Sequence, residues 1–293
     1  MSVETTAPIV TIASSPARAM DAPVTVIEAR SGLFHLGLRE LWDFRELIYF
    51  LVWKDVKVRY KQTVIGAGWA IFQPLMTMVV FTVVFGHFAK IPSDGLPYPL
   101  FAYAALLPWG YFAQALGKSG SGLVNNAHLI TKVYFPRLII PLASVVTPAV
   151  DFVPALLVLF GLMAWFGVAP TWAVLALPLF LLMALTTALA VGLWLSPINV
   201  KYRDVGHTIP FLIQFWMFAS PVVYPLSLVP EQWRALYSLN PMVGVIEGFR
   251  WALLGTDNPD FIMMLVSGSG MVVLLLGGIV FFKRMERTFA DVI

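Results

Sequence analysis

Long stretches without Asp, Glu, Lys or Arg constrain this chain more than any other feature. Residues 62–89, 95–117, 152–200, 205–230 and 261–282 carry none of the four, and residues 138–150 join 152–166 with only Asp151 between them. A helix needs about 20 apolar residues to cross the roughly 30 Å hydrocarbon core of a bilayer. The 152–200 stretch is long enough for two crossings and breaks at Gly167-Val168-Ala169-Pro170. Six crossings are therefore predicted, near 66–89, 97–117, 138–166, 171–196, 206–225 and 261–283. Composition agrees: 59% of the 293 residues are apolar and 12% charged, against about 45–50% and 25% in soluble domains. The expected fold is an all-α integral membrane protein.

Basic residues orient the crossings. The segment 32–61, the loops 118–137 and 197–205 and the tail 283–293 together hold fourteen Lys and Arg, against three (Lys90, Arg234 and Arg250) in the opposite loops. Both termini and the two basic loops are thus expected on the cytoplasmic side. Residues 1–32 show no basic cluster leading into an apolar core, so they read as a disordered cytoplasmic tail rather than a signal peptide.

Three segments between the crossings carry more information than plain turns. In 37–61, Leu41, Phe44, Leu47, Ile48, Leu51 and Val52 recur at helical spacing opposite charged residues, followed by the basic run Lys54 to Lys61. This predicts an amphipathic helix in the cytoplasmic interface, either a plain anchor or a docking surface for lipid headgroups or a partner. In 118–137, Asn125 or Asn126 can cap a short helix near 127–134 that Pro136 stops, presenting Lys132, Tyr134 and Arg137. In 226–260, Pro230 and Asn240-Pro241 open two helices, the second ending near Gly255. That second helix is too short to cross and carries Glu247 and Arg250, three apart and able to pair. The pair of helices is read as a hairpin dipping into the membrane from outside, the alternative being two helices on the outer surface.

Chemistry of its own is not in view. The absence of cysteine removes disulfides, thiolate metal sites and a cysteine nucleophile. Gly117-Lys118-Ser119 imitates the end of a phosphate loop, but Phe112 stands where the first glycine belongs and a membrane span precedes it. No metal-binding spacing appears, and a net charge of +3 is too weak to argue for nucleic acid. Asp151 sits inside the third crossing between Pro148 and Pro154. An intramembrane carboxylate normally faces a bundle interior or water. No second carboxylate or histidine accompanies it to form a proton relay, so a hydrogen-bonded structural role is expected. Aromatic residues near span ends fit an interfacial belt, whereas Tyr103, Trp194, Phe215, Trp216 and Tyr224 are candidates for a path on which sugar C–H faces pack.

Four motifs stand in register with the six crossings: Arg59-Tyr60-Lys61-Gln62-Thr63-Val64-Ile65-Gly66 before Trp69, Lys132-Val-Tyr-Phe-Pro-Arg137, Asn199-Val-Lys-Tyr-Arg-Asp204, and Ser238-Leu-Asn-Pro241 followed by Glu247-Gly-Phe-Arg250. Together they resemble ABC-2-type polysaccharide export permeases, which serve O-antigen, capsule and teichoic acid export, over about residues 33–290. The resemblance implies a permease domain over 33–293 that forms a homodimer in the bacterial inner membrane, with two separate ATPase subunits that hold ATP and Mg. This chain would hold no cofactor and catalyse no reaction. It implies coupling to the ATPase through Asn125, Lys132, Tyr134, Pro136 and Arg137. It implies a cytoplasmic gate, in contact with membrane lipids, at Arg59, Tyr60, Lys61, Lys201, Tyr202, Arg203 and Asp204. It implies an outer gate at Trp233, Asn240, Pro241, Glu247 and Arg250, and a lipid-linked polysaccharide as cargo. An ABC-2 exporter of a drug or small lipid would share the architecture. A membrane enzyme acting on lipid-linked sugar would need clustered carboxylates or histidines at one face.

Overall fold

The computed structural model describes residues 38–61, 66–256, 260–287 and 289. The expected tail 1–32 and residues 62–65 of the first motif lie outside the described residues. Every regular element among the described residues is helical: α1 (Leu38–Asp43), α2 (Arg45–Lys61), α3 (Gly66–Phe81, continued by a π-helical stretch Thr82–Phe88), α4 (Tyr98–Asn125), α5 (Ala127–Lys132), α6 (Ile139–Val146), α7 (Ala149–Phe166), α8 (Leu177–Lys201), α9 (Val205–Phe218), α10 (Glu231–Tyr237), α11 (Pro241–Leu254) and α12 (Phe261–Glu286).

Four of the predicted crossings coincide with helices long and apolar enough to span a bilayer: Gly68–Phe88, Ile139–Phe166, Trp172–Lys201 and Phe261–Glu286. The fifth, Val205–Phe218, is apolar but shorter. α4 has the length, at 28 residues, yet mixes Gly, Ser, Gln and Lys118 into its second half. The third crossing is two helices rather than one. Pro148 has no N–H to continue the helical ladder, and α6 gives way to α7 across Thr147-Pro148.

α4 is the axis of the fold. From Leu100 to Ala105 each residue is at most 1% exposed, the pattern of a helix buried on all sides. Around it stand α3, α6, α7, α8, α9 and α11, and α12 packs on the far side of α8. Lipid tails give no hydrophobic drive for helix pairing, so close approach of small residues must supply the attraction. Gly192 of α8 meets α4 so closely that a Cβ there would lie 2.1 Å from Ser119 Oγ. Gly278 of α12 does the same against α8, where a Cβ would lie 2.8 Å from the Ala190 carbonyl oxygen.

The N-terminal amphipathic segment is divided at Phe44 into α1 and α2. Its predicted apolar stripe is the packed face: Leu51 is buried, and Leu41, Phe44, Leu47, Ile48 and Val52 close on a second core with Ile139, Ile140 and Phe282. The outer face is not purely charged. Trp42, Tyr49 and Trp53 are exposed along it, and such amphipathic rings favour a membrane–water boundary.

Candidate functional site

One end of the bundle gathers the expected coupling residues. α5 is shorter than the sequence suggested, ending at Lys132 because Val133 is already extended (φ −130°, ψ 133°) on the way to Pro136. Asn126 holds the N-cap position but does not cap with its side chain. Its amide instead donates back to the Gly122 carbonyl at 2.9 Å, while Asn125 reaches Ser121 Oγ at 3.3 Å. Lys132 and Tyr134 are exposed, Tyr134 at 72%. Phe135 turns inward to the second core. Arg137 is not offered outward: its guanidinium donates to the Glu286 carbonyl and lies 5.7 Å from the Phe289 ring, so it ties the loop to the end of α12. Pro136 is half-buried between these two anchors.

The α8–α9 turn lies at the same end, since Asn199 donates to the Gly120 carbonyl at 3.0 Å. There Lys201, Tyr202, Arg203 and Asp204 are exposed, with Lys201 Nζ 5.3 Å from the Tyr202 ring. α2 ends nearby in the exposed Lys61, and Lys54 Nζ reaches Asn126 Oδ1 at 3.5 Å. Two N-terminal residues of the expected cytoplasmic gate turn inward instead. Arg59 pairs with Asp151, and Tyr60 donates a hydrogen bond to the same carboxylate. The second Arg59 nitrogen donates to Gln114 Oε1 at 3.0 Å. Asp151, 7% exposed, is thus hydrogen-bonded, by partners 91 and 92 residues away in sequence. Asp151 and Gln114 also face a cavity of about 250 Å³ bounded by α3, α4 and α7, with Met217 of α9 at its edge.

The other end holds the expected outer hairpin. Arg250 and Glu247 pair at 2.9 Å, and Arg250 donates its other terminal nitrogen to the Val222 carbonyl at 3.2 Å. Arg250 is 1% exposed, and its guanidinium carbon stands 3.6 Å from the centre of the Phe101 ring. A cation over a desolvated ring contributes on the order of 2 kcal/mol. Its Nε faces that aromatic surface with no hydrogen-bond partner among the described residues. Asn240 is the second knot. Its oxygen caps α11 at the Met242 N–H (3.0 Å) and accepts from Trp216 Nε1 (2.9 Å), while its amide donates to Ser220 Oγ (2.8 Å) and the Ala219 carbonyl (3.1 Å). Pro241, buried, opens α11, and Gly255 closes it with φ +65°, which suits glycine. Trp233 on α10 is 55% exposed. Tyr224 and Tyr237 share a 2.9 Å hydrogen bond. Burial, and then that bond, push the Tyr237 phenol above its ordinary value.

The five aromatics expected along a path are not brought together on one surface. Tyr103 is fully buried with its hydroxyl on the Ala155 carbonyl, so it lines no open surface of the described chain. Trp194 stacks on Phe281 at 4.9 Å and donates to the Leu274 carbonyl. Trp216 packs edge-on against Phe112 at 5.1 Å, and Tyr224 donates to the Phe218 carbonyl at 3.0 Å. Phe215 remains 65% exposed, in a row on α9 with Phe211 and Phe218. Four residues at these sites were not singled out in the sequence: Gln73, which lines the cavity with Gln114, and the rings of Phe101 and Phe289 under Arg250 and Arg137. The glutamines carried a signal, as lone amides inside apolar stretches; the rings carried none.

The sequence signature of the family described as ABC-2 type transporter matches residues 46–254. The chain is 33% identical to the O-antigen export system permease protein RfbA of Myxococcus xanthus over 257 residues, covering 87% of this chain and 98% of that protein. It is 26% identical to the O-antigen export system permease protein RfbA of Klebsiella pneumoniae, over 85% of this chain and 95% of that one. It is 21% identical to the polysialic acid transport protein KpsM of Escherichia coli, over 80% and 91% respectively.

Proposed function

The chain belongs to the ABC-2 type transporter family, and from that premise we propose that it is the transmembrane subunit of an ATP-driven exporter that moves lipid-linked polysaccharide out across the bacterial inner membrane. The observation that carries this reading is the end-to-end similarity to permeases named for O-antigen export, one of them covered over 98% of its length. The chain is a multi-pass membrane protein and not an enzyme; ATP hydrolysis lies with a separate subunit. In this reading the protein works as a homodimer with two ATPase subunits that hold ATP and Mg. Each copy crosses six times with both termini in the cytoplasm, and α10 and α11 re-enter from outside. The burial of α11 against α4, α8 and α12 supports a re-entrant helix over one lying on the surface.

An ATPase can move the permease only through contacts that differ between its states. The exposed run Thr131–Tyr134 suits that role. It is short, it projects from the bundle, and Phe135 and Arg137 fix its base to the second core and to α12. A push there therefore reaches two helices at once. Lys201–Asp204 supplies a second exposed patch at the same end. At the far end α11 is a rigid plug seated on Phe101, and Trp233 and α10 are its exposed rim.

Deletion of the gene in its host, with surface glycan probed on intact and permeabilised cells, tests the cargo. Loss of surface polymer with lipid-linked polymer retained inside is expected; normal surface glycan would overturn it. The absence of native cysteine makes topology equally accessible. A Ser227→Cys variant should label with an impermeant maleimide from outside, and Thr131→Cys only after permeabilisation.

A further inference from the structure

The cavity between α3, α4 and α7 carries polar groups beyond those that the tether from α2 occupies. We propose that it is a binding site for one sugar ring of the exported glycan, an inference that rests on the polysaccharide reading above. Its volume of about 250 Å³ lies just under the roughly 300–1,000 Å³ of drug-sized pockets, a scale suited to a single ring with its hydroxyls. Trp109 and Phe152 supply flat apolar walls, and Gln73, Thr77, Gln114 and Asp151 supply polar ones. The cavity is partly open, and a largely apolar recess with a few convergent hydrogen-bonding groups is the general form of a small-ligand site.

The polar groups favour hydroxyl donors. A carboxylate has about four lone-pair directions, and Arg59 and Tyr60 are on those of Asp151, which leaves capacity for a ligand hydroxyl. Gln114 gives its oxygen to Arg59 and keeps an NH₂ group. Gln73, an exposed residue, brings an amide, while Thr77 already donates its hydroxyl to the Gln73 carbonyl at 3.0 Å and keeps only acceptor capacity. Pro74, on the wall of the cavity, has no N–H to return to the Ala70 carbonyl on the same wall, so the helix itself leaves an acceptor there. An acyl chain in this space would satisfy none of these groups, which is unfavourable for polar groups taken from water.

Charge narrows the class further. The Asp151 carboxylate is matched by Arg59, so the cavity wall is electrically balanced. A phosphate would meet a carboxylate, and a cation would meet a guanidinium behind it. The balanced wall selects a neutral, polyhydroxylated ligand over a charged lipid headgroup. A sugar ring meets each demand: hydroxyls for the carboxylate, amides and carbonyl, and C–H faces for the rings.

The test uses the full transporter in its host cells. Benzoylphenylalanine is placed at Thr77, with a second variant at Val80, 55% exposed on α3, as the outward-facing control. After irradiation the permease is purified, and adducts are read by an antiserum to the cell's own glycan and by lipid mass spectrometry. A glycan adduct at 77 and none at 80 is expected. Phospholipid alone at 77, in cells that still export glycan, overturns the cavity site while leaving the export reading intact. Normal surface glycan after gene deletion overturns the export reading itself. Gln73→Leu is the second arm and removes hydrogen bonds without filling the cavity. Export should fall about fivefold, the loss of roughly one hydrogen bond, at unchanged permease level. Unchanged export in Gln73→Leu overturns the proposal even where the photoreactive variant does not accumulate.

Discussion

Two buried ion pairs serve this bundle in opposite ways. Glu247–Arg250 lies within one helix, three residues apart, with the arginine 1% exposed and pressed on Phe101. Arg59–Asp151 joins α2 to α7 across most of the first half of the chain, its arginine is 36% exposed, and its carboxylate faces open space. In the first pair the arginine is sealed, while Glu247 keeps 25% of its side chain exposed. In the second the arginine is the open partner, and the carboxylate, 9% exposed, borders a cavity. Removing the partner of a buried group strands its charge, whereas a more open group left behind can rehydrate. α11 is thus anchored through a buried arginine, and α2 is tethered through a buried carboxylate to an arginine that stays partly open.

The largest effect is expected from Arg250→Ala, which leaves the half-buried Glu247 without its cation and empties the space over Phe101. It should destabilise the protein by about 3–5 kcal/mol, read as a large fall in membrane-inserted protein and in melting temperature in detergent. Replacing both partners, Arg250→Met with Glu247→Leu, should recover most of that loss, because apolar isosteres of a buried pair are often neutral. A double variant as poor as the single one would refute the buried-pair argument. Asp151→Asn should cost less, about 1–2 kcal/mol, since an amide still accepts from Tyr60 and the Arg59 side chain is 36% exposed. A loss as large as that of Arg250→Ala would erase the distinction between the pairs.

Smaller effects separate the tether from the surface it supports. Arg137→Glu removes the bond to the Glu286 carbonyl and the contact with Phe289. ATPase binding by the purified permease should weaken about tenfold, near 1.4 kcal/mol, with the helices intact by circular dichroism. Wild-type binding would detach Arg137 from coupling. Tyr134→Ala, at a position 72% exposed, should change stability by no more than about 0.5 kcal/mol while reducing ATP-driven export. A stability loss above that would place Tyr134 in the core instead of on the docking surface.

Legibility in the sequence followed the distance between interacting residues. The Glu247–Arg250 pair, the start of α11 after Asn240 and its stop at Gly255 are local facts, set by helical spacing and backbone conformation. The stripe Leu41 to Val52 was legible for the same reason, because a 3.6-residue period marks the packed face whatever it packs on. Arg59 and Tyr60 read as part of a basic cytoplasmic run and Asp151 as a lone intramembrane acid, because nothing local links positions 91 residues apart. Arg137 looked free for a partner subunit, and its attachment to α12 came from the opposite end of the chain. The burial of Tyr103 was not legible, because aromatic identity does not report which helix becomes the axis of the bundle.

The sequence by itself determined that this chain lives in a membrane, how many apolar stretches it has, which loops are basic and where α11 starts and stops. Those properties depend on transfer free energies and backbone preferences that act residue by residue. Only the tertiary structure decided that α4 is buried on all sides, that Asp151 has an arginine and a tyrosine, and that a cavity with polar walls opens beside them. Those depend on which helices approach closely enough to touch, and in a bilayer that is fixed by the fit of surfaces such as Gly192 on Ser119 rather than by any local pattern.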